Sequence, residues 1–387
     1  MPILRALGLI VGLFIVVTTA SSVFTSLVVP RVTSSRAMRT VARVLGKTSR
    51  RILPHLPSYE VRDRLMAFVG PVAMITLFVV WLGALVLGFG LVTWWSSGES
   101  LGTALEIAGS SVFTLGIVTS PGSGSRSIEI IASGVGLLVV ALEIAYLPAL
   151  YTAFSTRETE VTLLATRSGT PAWGPEILAR HHLLDNIDEL SPLYADWERW
   201  AAAVSESHTN YPALIWFRSP TSSRSWLLSL VAIMDSAALY HAVSPSQTPR
   251  QARLCLSMGT NCLRSMAGAL RIVFDPDPIP TAGTRLTKEE FADGFERLAE
   301  VHFPLERSLD DAWRHFQGWR INYESIVDIL TTLIMPPPAP WFLPRPGLGR
   351  TEWPAVRNRT PDDPEGARPF RSGHTATTPP AGDSEGR

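Results

Sequence analysis

Three long apolar runs dominate the first half of the chain, and their lengths and flanking charges are read together. Residues 3–29 carry a single charge, Arg5, near the start. At 1.5 Å per residue a helix of that length crosses the roughly 30 Å hydrocarbon layer. A cleaved signal peptide is the rival reading. Its apolar core would be shorter, however, and Thr18-Thr19-Ala20-Ser21-Ser22 is a weak small-residue cleavage site. Residues 67–95 form a second run ending on Trp94 and Trp95, where an aromatic belt would sit, and residues 128–153 form a third. Between runs one and two, residues 31–66 are strongly basic: Arg31, Arg36, Arg39, Arg43, Lys47, Arg50, Arg51, Arg62 and Arg64 face only Glu60 and Asp63. Short basic loops stay on the cytoplasmic side, so this pattern predicts an outside N-terminus and a cytoplasmic C-terminal half.

The segment between runs two and three is too short and too polar to cross alone. It predicts a short helix over about 102–113, followed by Thr114-Leu115-Gly116-Ile117-Val118-Thr119. Irregular backbone at membrane depth is tolerated only where protein buries it or it lines a wet cavity. A half-membrane helix feeding such a turn is the plan of a re-entrant pore loop. In run three, Gly134 and Gly136 occupy the outer half, where a hinge or a close helix crossing would be placed. Glu143 is an ionisable group inside a span, so it should face the bundle interior or a wet cavity. A hydrogen-bonded structural glutamate is the plainer alternative. Pro148 removes one helix hydrogen bond and would bend the inner end of the run. Glu106, within the short helix, could brace the turn from behind.

From Glu158 onward the pattern is that of a folded helical domain. Helical periodicity predicts segments at about 174–186, 190–207, 223–243, 249–272, 287–303 and 308–334. Thr287 and Glu290 have capping-box spacing, and Asp275-Pro276-Asp277-Pro278 with Pro280 reads as a linker. Leu227, Leu228, Leu230, Val231, Ile233 and Met234 make one buried helix, with Asp235 paired or capping beside them. Residues 335–387 are rich in Pro and Gly and read as a disordered tail.

Composition then narrows the chemistry. The chain has 387 residues and 34 Lys plus Arg against 34 Asp plus Glu, so bulk charge gives no reason to expect a nucleic-acid partner. Cys255 and Cys262 lie two helical turns apart, a poor zinc signal that reads as reduced thiols. His181, His182, Asp185, Glu189, Glu206, His208 and His241 invite a metal or catalytic reading. Yet no His-Glu-x-x-His or repeated Glu-x-x-His pair exists among them, so they read as solvated or satisfied polar groups. No Gly-x-Gly-x-x-Gly fingerprint is present to suggest a nucleotide-binding regulatory domain. The loop Ser205 to Pro212, followed by Trp216-Phe217-Arg218-Ser219-Pro220, is the most distinctive one, suited to a small ligand or an intersubunit contact.

Over residues 20–155 the chain resembles the potassium-channel-like pore-loop superfamily, in bacterial members with an extra N-terminal helix. Ser22-Val23-Phe24-Thr25, Gly70-Pro71, Trp81-Leu82-Gly83 and above all Phe113-Thr114-Leu115-Gly116 carry the resemblance. It implies four subunits around one axis and a filter reading Thr-x-Gly-Tyr/Phe-Gly-Asp. Thr114, Leu115 and Gly116 match its first half. Ile117, Val118 and Thr119 replace the aromatic residue, the second glycine and the aspartate. A β-branched Val118 would be strained at positive φ, so the outer ion sites should differ. The expectation is an all-α inner-membrane protein with a first transmembrane helix at 1–30, a basic loop at 31–66 and a pore domain at 67–155. A helical cytoplasmic domain at 156–334 and the tail at 335–387 complete it. As a homotetramer in contact with lipid it would pass K+ or Na+ along Thr114, Leu115, Gly116, Ile117 and Val118, with Glu143 and Gly134 lining the pore and no cofactor or enzymatic activity. A non-conducting membrane sensor or scaffold, and more remotely a membrane-anchored hydrolase, are the alternatives.

Overall fold

Apolar helices with a few small residues at their crossings build the first half of the molecule. The computed structural model describes residues 2–29, 51, 58–120, 122–279 and 284–342, and no strand occurs among them. The helices are α1 (Pro2–Leu27), α2 (Tyr59–Ala67), α3 (Val69–Ser97), α4 (Leu101–Val112), α5 (Ser123–Ser168), α6 (Gly174–Leu183), α7 (Leu190–Asn210), α8 (Trp226–Val243), α9 (Arg250–Leu270), α10 (Lys288–Glu300) and α11 (Leu309–Ile334). The basic stretch before α2 lies largely outside the described residues.

α1 packs along α3, and glycine lets the backbones meet. A Cβ at Gly12 would stand 2.6 Å from the Gly88 carbonyl oxygen, and one at Gly88 would stand 2.8 Å from Val16 Cγ2. Between helices without a hydrophobic drive to associate, such close backbone approach supplies the dispersion contact. Ser22 Oγ, farther along α1, accepts from Trp81 Nε1 at 3.1 Å, so two stretches that carried the family resemblance meet. At the other end Arg5 donates to the Gly98 and Glu99 carbonyls at 2.7 and 3.1 Å, capping the C-terminus of α3, where a cation also suits the helix dipole. The two helices are therefore antiparallel.

Among the described residues four helical stretches are long and apolar enough to cross a membrane: Pro2–Leu27, Tyr59–Ser97, Gly124–Ser168 and Trp226–Val243. The first three leave most of their apolar surface open, as in a membrane protein. The fourth is α8, which is 94% buried inside its own domain. A helix that is apolar all round is either a span or the centre of a large core, and α8 is the latter.

α6 to α11 surround α8. Their boundaries follow the sequence reading closely, and both hydrogen bonds of the Thr287–Glu290 capping box form, at 3.2 and 3.0 Å. Asp235, fully buried in α8, is paired: Tyr323 Oη donates to it at 2.6 Å and Arg320 Nη1 at 2.6 Å. Cys255 and Cys262 are free and buried on the core side of α9.

Two expectations change here. α5 does not end near 153 but continues through Pro148 to Ser168, across the expected domain limit. The start of the expected tail is not free either. Ala339, Trp341 and Phe342 are buried, and Trp341 Nε1 donates to the Glu290 carbonyl at 2.8 Å while its ring packs on Phe291 and Phe316. Proline-rich composition hid an aromatic anchor. Residues 343–387 lie outside the described part.

Candidate functional site

α4 starts at the rim shared by the end of α3 and the start of α5, where Ser96 and Ser125 hydroxyls lie 3.2 Å apart. Ser100 caps it by accepting from the Thr103 amide at 3.2 Å. Its buried side carries Ala104, Ile107, Ala108, Ser110, Ser111 and Val112. Leu105 lies so close to α3 that a Cβ at Gly90 would stand 2.5 Å from its Cδ2. The far end of α4 is set by Gly136 of α5, where a Cβ would stand 2.0 Å from the Val112 carbonyl oxygen. Gly136 lies eleven residues beyond Ser125, about 16 Å down the helix at 1.5 Å per residue, or roughly half the hydrocarbon thickness. Of the two glycines singled out in the third run, Gly136 thus makes the close crossing.

The chain then turns back toward the rim. Thr114 and Gly116 adopt left-handed backbone at φ 57° and 67°, two residues apart. Val118 does not, so the strain expected there is avoided by abandoning the alternation. The amides of Leu115 and Val118 donate back to α4, to the Ser110 carbonyl at 2.8 Å and the Ser110 hydroxyl at 3.2 Å. Ser120 N donates to Glu129 Oε1 at 2.8 Å, which ties the returning segment to α5. By contrast, no carbonyl from Thr114 to Val118 accepts a hydrogen bond among the described residues. Four of the five amides from Thr114 to Val118 are drawn into the protein and the carbonyls are left open. Leu115 and Ile117 point outward and are 60% and 76% exposed.

Ser110 and Glu129 do the bracing that Glu106 was expected to do. Glu106 is exposed on the outer side of α4 and makes no hydrogen bond among the described residues. Glu129 carried no signal in the sequence beyond being a carboxylate near the start of an apolar run. Gly134 and Glu143 do not share a face either. Nine residues at 100° each put them roughly 180° apart. Gly134 is exposed, in line with Ile130, Leu137, Ala141 and Ile144, with open space where a Cβ would go. Glu143 is half-buried on the packed side with Gly136, Val139 and Tyr146. The two cannot line one axis.

Below the apolar stretch, α5 enters the helical body through Arg157. This guanidinium is buried and fully engaged: it donates to Glu158 Oε1 at 2.9 Å, His208 Nε2 at 3.0 Å, Leu214 O at 2.9 Å and Phe217 O at 2.7 Å. Arginine has only donors, so His208 Nε2 must accept and its proton sits on Nδ1, facing the Ser207 hydroxyl at 3.1 Å. Burial, helped by the Arg157 charge, drives the His208 pKa well below the ordinary value. The stretch expected to be a loop from Ser205 is helical through Asn210, as the last turns of α7, and then a short 3-10 turn at Pro212–Trp216; with Phe217 and Arg218 it forms the joint between the apolar helices and the body. Phe217 fills the space over Gly70, where a Cβ would come within 2.7 Å of the ring. Arg218 ion-pairs with Asp63 and donates to Tyr59 Oη at 2.7 Å and the Ile334 carbonyl at 2.6 Å. One residue clasps α2 and the end of α11.

The remaining histidines and acids stay apart. His181 Nδ1 bonds the Ile177 carbonyl at 2.7 Å, His182 packs on Phe303 and His241 stacks on Trp319. No group of three or more His, Cys, Asp or Glu capable of holding a metal occurs among the described residues. No family model, curated protein or solved structure matches the chain.

Proposed function

We propose that this protein is a passive monovalent cation channel of weak selectivity, built as a homotetramer around the loop Thr114–Val118. The observation that carries the reading is the asymmetry of that loop: the amides of Thr114, Leu115, Gly116 and Val118 turn back to Ser110 and Ser111 while its carbonyls have no partner among the described residues. Open carbonyls at half-membrane depth are costly unless water or a cation meets them. Rows of backbone carbonyls that replace a hydration shell are what a cation filter supplies. Left-handed residues at Thr114 and Gly116 give the inner half of the loop its alternation, and its loss at Val118 fits fewer ordered sites and weaker discrimination.

In this arrangement the exposed face of α5 with Ile130, Gly134, Leu137 and Ala141 turns toward the axis and the neighbouring subunits. Glu143 then sits behind it, off the ion path. The N-terminus lies outside the inner membrane and the helical body inside, in keeping with the basic stretch before α2. Arg157 links α5 and Arg218 links α2 to the body, so a movement of the body would reach both helices.

Flux measured on the purified protein in liposomes tests this. Potassium and sodium flux are expected in the parent protein, lost in Gly116→Ala because φ of 67° disfavours a Cβ, and preserved in Glu143→Gln. Flux unchanged by Gly116→Ala would place the path elsewhere.

A further inference from the structure

We propose that the cleft between α9 and α11 is a binding site for an elongated, soluble polyanion such as a phosphorylated small molecule with charge at both ends. The cleft has a volume of about 290 Å³ and is walled by Arg253, Ser257, Thr260, Asn261 and Arg264 of α9 and by Trp319 and Asn322 of α11. That approaches the lower end of the size range of small-molecule sites. Its lining holds two guanidinium groups and no carboxylate. Neither Arg253 nor Arg264 is ion-paired among the described residues. Arg264 donates from Nη2 to the Pro276 carbonyl at 2.9 Å, while its buried Nε has no partner.

Arginine presents planar donors that match phosphate or carboxylate oxygens, and Ser257 and Asn261 add a hydroxyl and an amide, whereas Thr260 and Asn322 donate to carbonyls of their own helices. The platform between them is already fixed. Trp319 stacks on His241, with ring centroids 5.6 Å apart, and the Arg253 guanidinium lies 6.0 Å from the Trp319 ring centre. Arg253 and Arg264 are eleven residues apart on one face, about 16 Å along the helix axis, so their side chains must converge on a ligand longer than one phosphate. The cleft is also displaced from the membrane joint. Asn322 lies twelve residues, about 18 Å, from Ile334, which Arg218 clasps. A free anion suits that position better than a lipid headgroup.

Titration calorimetry on the full-length protein in neutral detergent, with tripolyphosphate as probe and orthophosphate as comparator, tests the site. Saturable tripolyphosphate binding is expected, at least about tenfold tighter than orthophosphate. Arg253→Gln and Arg264→Gln should each weaken it about tenfold. Arg199→Gln, an exposed arginine on α7, should leave it unchanged. Arg253 is itself exposed, so its replacement leaves the fold intact. No saturable binding, binding indifferent to both cleft variants, or binding of short-chain phosphatidylglycerol in place of tripolyphosphate would overturn the proposal. None of these outcomes depends on whether the protein conducts ions.

Discussion

α1 and α8 are both apolar around their whole circumference, yet the fold uses them in opposite ways. The most apolar window of α1 is 17% buried and that of α8 is 94% buried. The polar residues tell them apart. In α1 the hydroxyls of Thr18 and Thr25 return to carbonyls of their own helix, at 2.7 Å to Phe14 and 2.8 Å to Ser21. Such a helix meets its neighbour chiefly through close packing at Gly12, with Ser22 and Arg5 as its polar contacts to α3 and the turn after it. In α8, Asp235 and Ser236 reach across to Arg320 and Tyr323 of α11 and Tyr194 of α7, so the helix is specified by partners from two others. Hydropathy measures how apolar a helix is, and the partners of its polar groups show which solvent surrounds it.

The comparison can be broken most forcefully at Asp235. Replacing it with Ala leaves Arg320 buried without its closest counter-charge, and about 3–5 kcal/mol of stability should be lost, read as a large fall in the melting temperature of the detergent-solubilised protein. Leu230→Ala in the same helix should cost about 2–5 kcal/mol, whereas Phe14→Ala in α1 should cost less than about 1 kcal/mol in detergent, where apolar solvent replaces the lost contact. Equal losses at the two sites would erase the distinction. At the α1–α3 crossing, Gly12→Val drives a side chain onto the Gly88 carbonyl and should cost about 1–3 kcal/mol by overpacking. Gly134→Ala, with open space around it, should cost nothing and can gain up to about 1 kcal/mol in helix propensity.

A smaller effect comes from pH at the joint. His208 is neutral in the fold, with its pKa held well below the ordinary value by burial and Arg157. The unfolded chain therefore takes up a proton first as pH falls through about 6.5, and stability drops by up to about 1.4 kcal/mol per pH unit until the folded value is reached. His181 and His241, also lowered by burial, act in the same direction. Asp235, raised to about 6 by burial against the pull of Arg320, acts oppositely between about 6 and 3.8. Melting temperatures measured from pH 8 to 5 should fall, and the fall should be shallower in His208→Gln.

Much of this architecture was legible because it is periodic or local. The apolar runs, the six helices of the body, the Thr287 cap and the pairing of Asp235 follow from spacing and from the cost of burying charge. The joint was not legible. Arg218 meets Tyr59 across 159 residues and Arg157 meets Leu214 across 57, and single through-space contacts leave no period in a sequence. The same holds for Glu129 bracing Ser120, and for Trp341, whose neighbours Phe291 and Phe316 come from two other helices. At the candidate filter the motif suggested where the loop turns, but the division into paired amides and open carbonyls appears only in three dimensions.

The most direct test of the central claim is the reversal potential of currents in planar bilayers under a potassium chloride gradient, for the parent protein and Gly116→Ala. The account predicts a reversal displaced toward the potassium equilibrium potential in the parent and no such current in the variant. A reversal at the chloride potential, or the same cation current in both proteins, would contradict it.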